Sequence, residues 1–68
     1  MTQTDRILRH LRDYGSITPL EALQEYGCMR LGARIYDLKR AGYNIQTSYV
    51  AGVNRYGEKT RWARYELR

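Results

Sequence analysis

Sixty-eight residues make one domain with no room for a second, and a single Cys and a single His exclude a disulfide or zinc framework within the chain. A chain this short buries only about 60% of its unfolded surface, so its small core must lean on aromatics, of which it has seven Tyr and one Trp but no Phe. Twelve Lys and Arg against seven acidic residues give a net charge of +5; with no membrane-length apolar run and no charged-then-apolar leader, the expected class is a cytosolic protein with an anionic partner.

The first predicted helix covers residues 4–14. Ile7, Leu8, Leu11 and Tyr14 recur at helical spacing, with Arg6, Arg9, Arg12 and Asp13 between them. Thr2 with Asp5 three positions on resembles a capping box, and Thr4 competes with it as the cap. Gly15 stops the helix. His10 lies among charged neighbours and reads as an exposed surface residue. Ser16-Ile17 is too short to be an element alone; it is one rung of a sheet or a connection.

The second helix, residues 19–26, is signalled by Thr18-Pro19-Leu20-Glu21: an N-cap, a Pro at the first helical position and a Glu that reaches back to the cap. Leu20, Ala22 and Leu23 are expected to face the core, and Gly27 ends the helix. Cys28 is expected to pack beside it as a small apolar residue. The third helix, residues 30–41, places Leu31, Ile35 and Leu38 on one apolar stripe. Met29, Ala33, Tyr36, Asp37 and Arg40 fall on the other side, and Gly42 is its C-terminal cap.

From Tyr43 the period changes to two. Ile45, Thr47 and Tyr49 alternate with Gln46, Ser48 and Val50; Ala63, Tyr65 and Leu67 alternate with Trp62, Arg64, Glu66 and Arg68. Asn54 to Lys59 is a polar stretch suited to a turn. Residues 45–67 therefore read as a β-hairpin, one face apolar against the helices and the other basic on its second strand. Trp62 is expected to pair across the hairpin with Ser48 or Val50, or to stack over an Arg.

Charge is unevenly spread along these elements. Residues 1–29 hold three basic and four acidic side chains; residues 30–68 hold nine and three. The first part reads as scaffold and the second as contact surface. Ten of the twelve cations are Arg, whose planar fork suits phosphate and guanine edges better than the point charge of Lys. An acidic mimic of DNA is excluded. Three helices followed by a basic hairpin is the order of a mainly α winged helix-turn-helix, with the third helix for a groove and the hairpin as wing.

The segments Ile17-Thr18-Pro19-Leu20-Glu21-Ala22-Leu23, Tyr26-Gly27-Cys28-Met29-Arg30-Leu31, Ala33-Arg34-Ile35-Tyr36-Asp37-Leu38 and Gly42-Tyr43-Asn44-Ile45 resemble a family of small helix-turn-helix proteins common in bacteriophages and prophages. The resemblance is close from Thr2 to Ile45 and looser through Leu67. It implies double-stranded DNA as partner, a bacterial cytoplasm, and a role in transcriptional regulation or as an excision or recombination accessory.

The candidate DNA surface is Arg30, Gly32, Ala33, Arg34, Tyr36, Asp37 and Arg40 on the third helix, with Arg55, Tyr56, Lys59, Arg61 and Arg64 on the wing. Arg30 stands in a first turn that the helix dipole disfavours for a cation, which tilts it towards function. Arg34 is equally placed for DNA or for an ion pair with Asp37. Gly32 costs a helix interior about 1 kcal/mol and reads as close approach of backbone to DNA or as close helix packing. Tyr36 reads as a DNA contact or as cover for the core. Lys39 and Arg40 suit phosphate and also the helix dipole. Tyr56 at the tip suits stacking or groove insertion. Arg61 and Arg64 have a rival reading as charges that protect a sheet edge.

No paired carboxylates, phosphate-cradling Gly loop or metal-ligand cluster appears, and Cys28 has no activating partner nearby in sequence, so no catalysis, cofactor or metal is expected. No heptad announces a dimer, which leaves self-association open. The alternative partners are a host or phage protein, met by the basic half and the tyrosines, and RNA.

Overall fold

A computed structural model describes every residue from Met1 to Arg68. The first helix, α1 (Gln3–Tyr14), starts one residue earlier than predicted because Thr2 is its cap. Thr2 Oγ1 accepts the Asp5 N–H and Asp5 Oδ2 accepts the Thr2 N–H, each at 3.1 Å. These hydrogen bonds from Thr2 hold the Asp5 carboxyl below its ordinary value of 3.8. Ser16–Ile17 forms strand β1, the sheet rung rather than the connection.

Helix α2 (Pro19–Tyr26) carries the expected capping box: Thr18 Oγ1 accepts from Glu21 N–H at 3.3 Å and Glu21 Oε1 accepts from Thr18 N–H at 3.0 Å. Helix α3 (Leu31–Arg40) begins with Arg30 in the N-cap position, where its side chain makes no capping bond. At its other end Gly42 N–H donates to Lys39 O and Tyr43 N–H to Leu38 O, both at 3.1 Å. This is a Schellman closure, and it needs the left-handed φ of 101° that Gly42 adopts.

The chain then makes β2 (Ile45–Val53) and β3 (Lys59–Leu67). The three strands form an antiparallel sheet in the order β1-β3-β2. Its register is unbroken, from Ile45 opposite Leu67 to Val53 opposite Lys59. β1 covers β3 only at Tyr65 and Glu66, so from Lys59 to Arg64 the outer side of β3 is an open edge, and Arg61 and Arg64 keep their reading as charges that protect it.

The core is Ile7, Leu11, Ile17, Ala22, Cys28, Leu31, Ile35, Leu38 and Ile45, with Leu8, Tyr26, Tyr43, Tyr65 and Leu67 packed around it. Every helix and the base of the hairpin contribute, and the α3 stripe is as predicted. Two expectations fail. Leu20 and Leu23 are 60% and 47% exposed rather than core. The eight-residue α2 turns Ala22 and Tyr26 to its neighbours, which leaves Leu20 and Leu23 outside.

His10 is the second correction: it is 5% exposed, not a surface residue. It stands three residues after Ile7 on the inward stripe of α1. Its Nδ1 lies 2.8 Å from the Tyr26 hydroxyl, and its ring lies 4.6 Å from that of Tyr14. One ring nitrogen thus has a partner, while the other, Nε2, makes no hydrogen bond and lies 3.9 Å from Glu21 Oε2.

Candidate nucleic-acid interface

The exposed side of α3 is built by exclusion. Leu31, Ile35 and Leu38 turn inward, so Gly32, Tyr36, Asp37, Lys39 and Arg40 are left in solvent and Ala33 and Arg34 are half-buried. Tyr36 is 61% exposed, so it covers no core. The Arg40 guanidinium sits 5.8 Å from the Tyr36 ring centre, a cation–π contact one helical turn apart. Arg34 takes the structural alternative: its Nε is 3.2 Å from Asp37 Oδ2. That Nε has no aligned hydrogen bond, so the pair is held by charge rather than by directed bonding.

Of the two readings of Gly32, close helix packing fails. No helix packs on it, and a Cβ there would find only the Tyr65 hydroxyl, at 3.8 Å. That is ordinary contact, so the core does not demand glycine at this position.

The wing tip is a tied loop. Asn54 N–H donates to Glu58 O and Gly57 N–H to Asn54 O, both at 3.0 Å. The Asn54 side chain adds three bonds: its Oδ1 accepts from Tyr56 N–H at 2.9 Å and Glu58 N–H at 3.1 Å, and its Nδ2 donates to Glu58 Oε1 at 3.1 Å. Gly57 takes the left-handed φ of 78° that closes such a turn. Arg55 and Tyr56 are thereby held out in solvent, Tyr56 being 79% exposed.

Along the wing, alternation sorts the basic residues onto two faces. Lys59 and Arg61 share a face with Ala63, Tyr65 and Leu67, whose lower part rests on the helices. Arg64 lies on the opposite face with Trp62, and its Nε is 3.8 Å from Glu66 Oε1. The expected division into one apolar and one basic face is therefore corrected: the helix-bearing face is apolar at its base and basic towards its tip. Trp62 stands opposite Val50, the second of its two expected partners, and its ring lies over Gly52.

Charge pairing sorts the cations further. Arg34 and Arg64 have carboxylate partners; Arg30, Arg40, Arg55, Lys59 and Arg61 have none, and neither does Lys39. The structure adds Tyr49, which sequence reading treated only as a strand residue. It is 63% exposed, and the Arg61 guanidinium lies 5.0 Å from its ring centre. The strand register places Tyr49 diagonal to Arg61, so the signal existed but needed the register to be read.

A family model, the winged helix-turn-helix domain, matches residues 2–68. The chain belongs to this family. Neither the search of curated proteins nor that of solved structures gave a match. The helix-turn-helix is α2 and α3 with the turn at Gly27, and the wing is the β2–β3 hairpin. A winged helix-turn-helix domain points to DNA binding, and such families are typically non-enzymatic. No group of three or more His, Cys, Asp or Glu is placed to hold a metal, and no helix is long and apolar enough to cross a membrane.

Proposed function

We propose that this winged helix-turn-helix domain binds double-stranded DNA in a sequence-directed way, with α3 in the major groove and the wing on the flanking backbone. One observation carries the reading. The cations left without carboxylate partners in the second half are Arg30 at the N-cap of α3, Lys39 and Arg40 on that helix, and Arg55, Lys59 and Arg61 on the wing. Neutralising about 4–6 phosphates would release counterions and supply most of the affinity, with a log–log salt slope near −4 to −5. Tyr36, Tyr49 and Tyr56 are exposed aromatics available for base or sugar contacts. Gly32 and Ala33 give α3 a low profile on its outer side. The resemblance to phage and prophage proteins supports a role in transcriptional regulation or as an excision or recombination accessory within a bacterial cytoplasm.

The test is a titration of labelled random-sequence duplex, followed by anisotropy, at low and then physiological salt. Binding that weakens with a slope of several units supports the reading; selection from a random pool then gives the preferred site. No binding at low salt overturns it for the monomer.

A second reading, a protein-interaction module acting on a host or phage protein, has one observation in its favour. Pro19, Leu20, Leu23, Cys28, Met29 and Trp62 line an open apolar groove between α2 and the wing. Charge reversal at Arg30 and Arg55 separates the readings. It weakens duplex binding under the first and leaves DNA behaviour unchanged under the second.

A further inference from the structure

The outer edge of β2 has none of the usual protections. Its nine residues, Ile45 to Val53, include no charge and no Pro, and its ladder with β3 runs without a bulge. Exposed edges of this length are normally blunted by Lys, Pro or a bulge, because their free N–H and C=O groups template another strand. The charge lies instead on β3, as Lys59, Arg61, Arg64 and Glu66, and protects the hairpin's other edge, which β1 covers only at Tyr65 and Glu66.

The register says which groups are free. Asn54 N–H donates to Glu58 O at 3.0 Å, and Arg68 N–H donates to Asn44 O at 2.8 Å. These two pairs bracket the unbroken ladder. Even-numbered β2 residues therefore turn N–H and C=O towards β3, and odd-numbered ones turn theirs outward. Thr47, Tyr49, Ala51 and Val53, all exposed, form the open row, while Ile45 at its base is closed off by the core.

We propose that this row pairs with the same row of a second copy, antiparallel and centred on Tyr49, to make a two-fold dimer with a continuous six-stranded sheet. Thr47 would face Ala51 of the second copy on each side of the axis. No charge stands opposite a like charge in that register, whereas a β3-like strand would bring three cations. The only other uncharged strand, β1, is two residues long and already paired. The two-fold axis runs perpendicular to the sheet, so both copies turn the face bearing Lys59 and Arg61 to one side. Such a contact closes at two subunits. It goes beyond the DNA reading and is measured without DNA, so the two stand or fall separately.

Sedimentation of the full chain without DNA should show the mass doubling as concentration rises. Ala51→Pro removes an outward N–H that β3 does not use and should hold the chain monomeric with unchanged circular dichroism. If that variant misfolds, Tyr49→Lys places two ammonium groups at the axis and should do the same. Under mild oxidation Tyr49→Cys should cross-link, since directly opposite Cα atoms lie about 5.5 Å apart, within disulfide reach. Thr47→Cys should not, because its counterpart lies about 14 Å away along the strands. Cys28 is buried and gives little background. A chain that stays monomeric at millimolar concentration overturns the proposal. So does assembly beyond two, a Tyr49→Lys variant that still dimerises, or equal cross-linking at positions 47 and 49.

Discussion

The Nδ1 of His10 and the hydroxyl of Tyr26 lie 2.8 Å apart where α1 meets α2. The same imidazole keeps its Nε2 without a hydrogen bond, 3.9 Å from Glu21 Oε2. The Tyr26 contact is thus the one directed bond this buried ring makes. Tyr26→Phe keeps the ring packing and strands that nitrogen, so unfolding in urea should show a loss of about 1–3 kcal/mol. A loss below a few tenths would mean that water replaces the hydroxyl at no cost.

Burial pushes the Tyr26 hydroxyl above its ordinary value of 10.0, a rise only partly offset by Arg9. The folded chain therefore keeps this proton at pH values where the unfolded chain has released it. Stability from this group is complete below about pH 10 and falls as pH rises through the folded value. Denaturation curves at successive alkaline pH values should fall more steeply for the native sequence than for Tyr26→Phe. Parallel curves would show that Tyr26 does not carry the effect.

Trp62 closes over a position that has no side chain. A Cβ on Gly52 would lie 2.6 Å from Trp62 Cζ3. Gly52→Ala should therefore displace the indole, shift its emission to the red and cost about 1–3 kcal/mol. Helical circular dichroism should hold, because the site lies in the wing and away from the core.

Ion pairing ranks the arginines for DNA. Removing Arg40 or Arg55, which have no carboxylate partner, should lower the salt slope by about one each. Arg34→Ala should change it little, since Asp37 already offsets that charge at 3.2 Å. Arg64→Ala should likewise change it little, being turned to the other face and set against Glu66. A large slope change at Arg64 would mean that DNA meets the Trp62 face instead.

Much of this was legible in the residues. Thr18-Pro19 and Glu21 fix the start of α2 through purely local hydrogen bonds. Leu31, Ile35 and Leu38 declare the inward side of α3 by spacing alone. The burial of His10 is hidden by Arg9 and Arg12 close by in sequence, whereas on the helix it follows Ile7 by three residues and precedes Tyr14 by four. Leu20 and Leu23 were misplaced because α2 is too short for propensity to say how many of its apolar residues find cover. Tyr49 with Arg61, and Arg64 against Arg61, depend on strand register and order. Those are set by long-range pairing that no local pattern encodes.

The strand order also makes the sheet the last thing to assemble. β1, near residue 16, and β2 both depend on β3, and neither has another strand to pair with. During synthesis the three helices can collapse together first, while the wing and the β1 rung wait for residues 59–67. A truncation after Arg64 would remove both rungs that hold β1, Ser16 opposite Glu66 and Ile17 opposite Tyr65. A cut near one end of the chain would thus loosen the connection between α1 and α2, close to the other end.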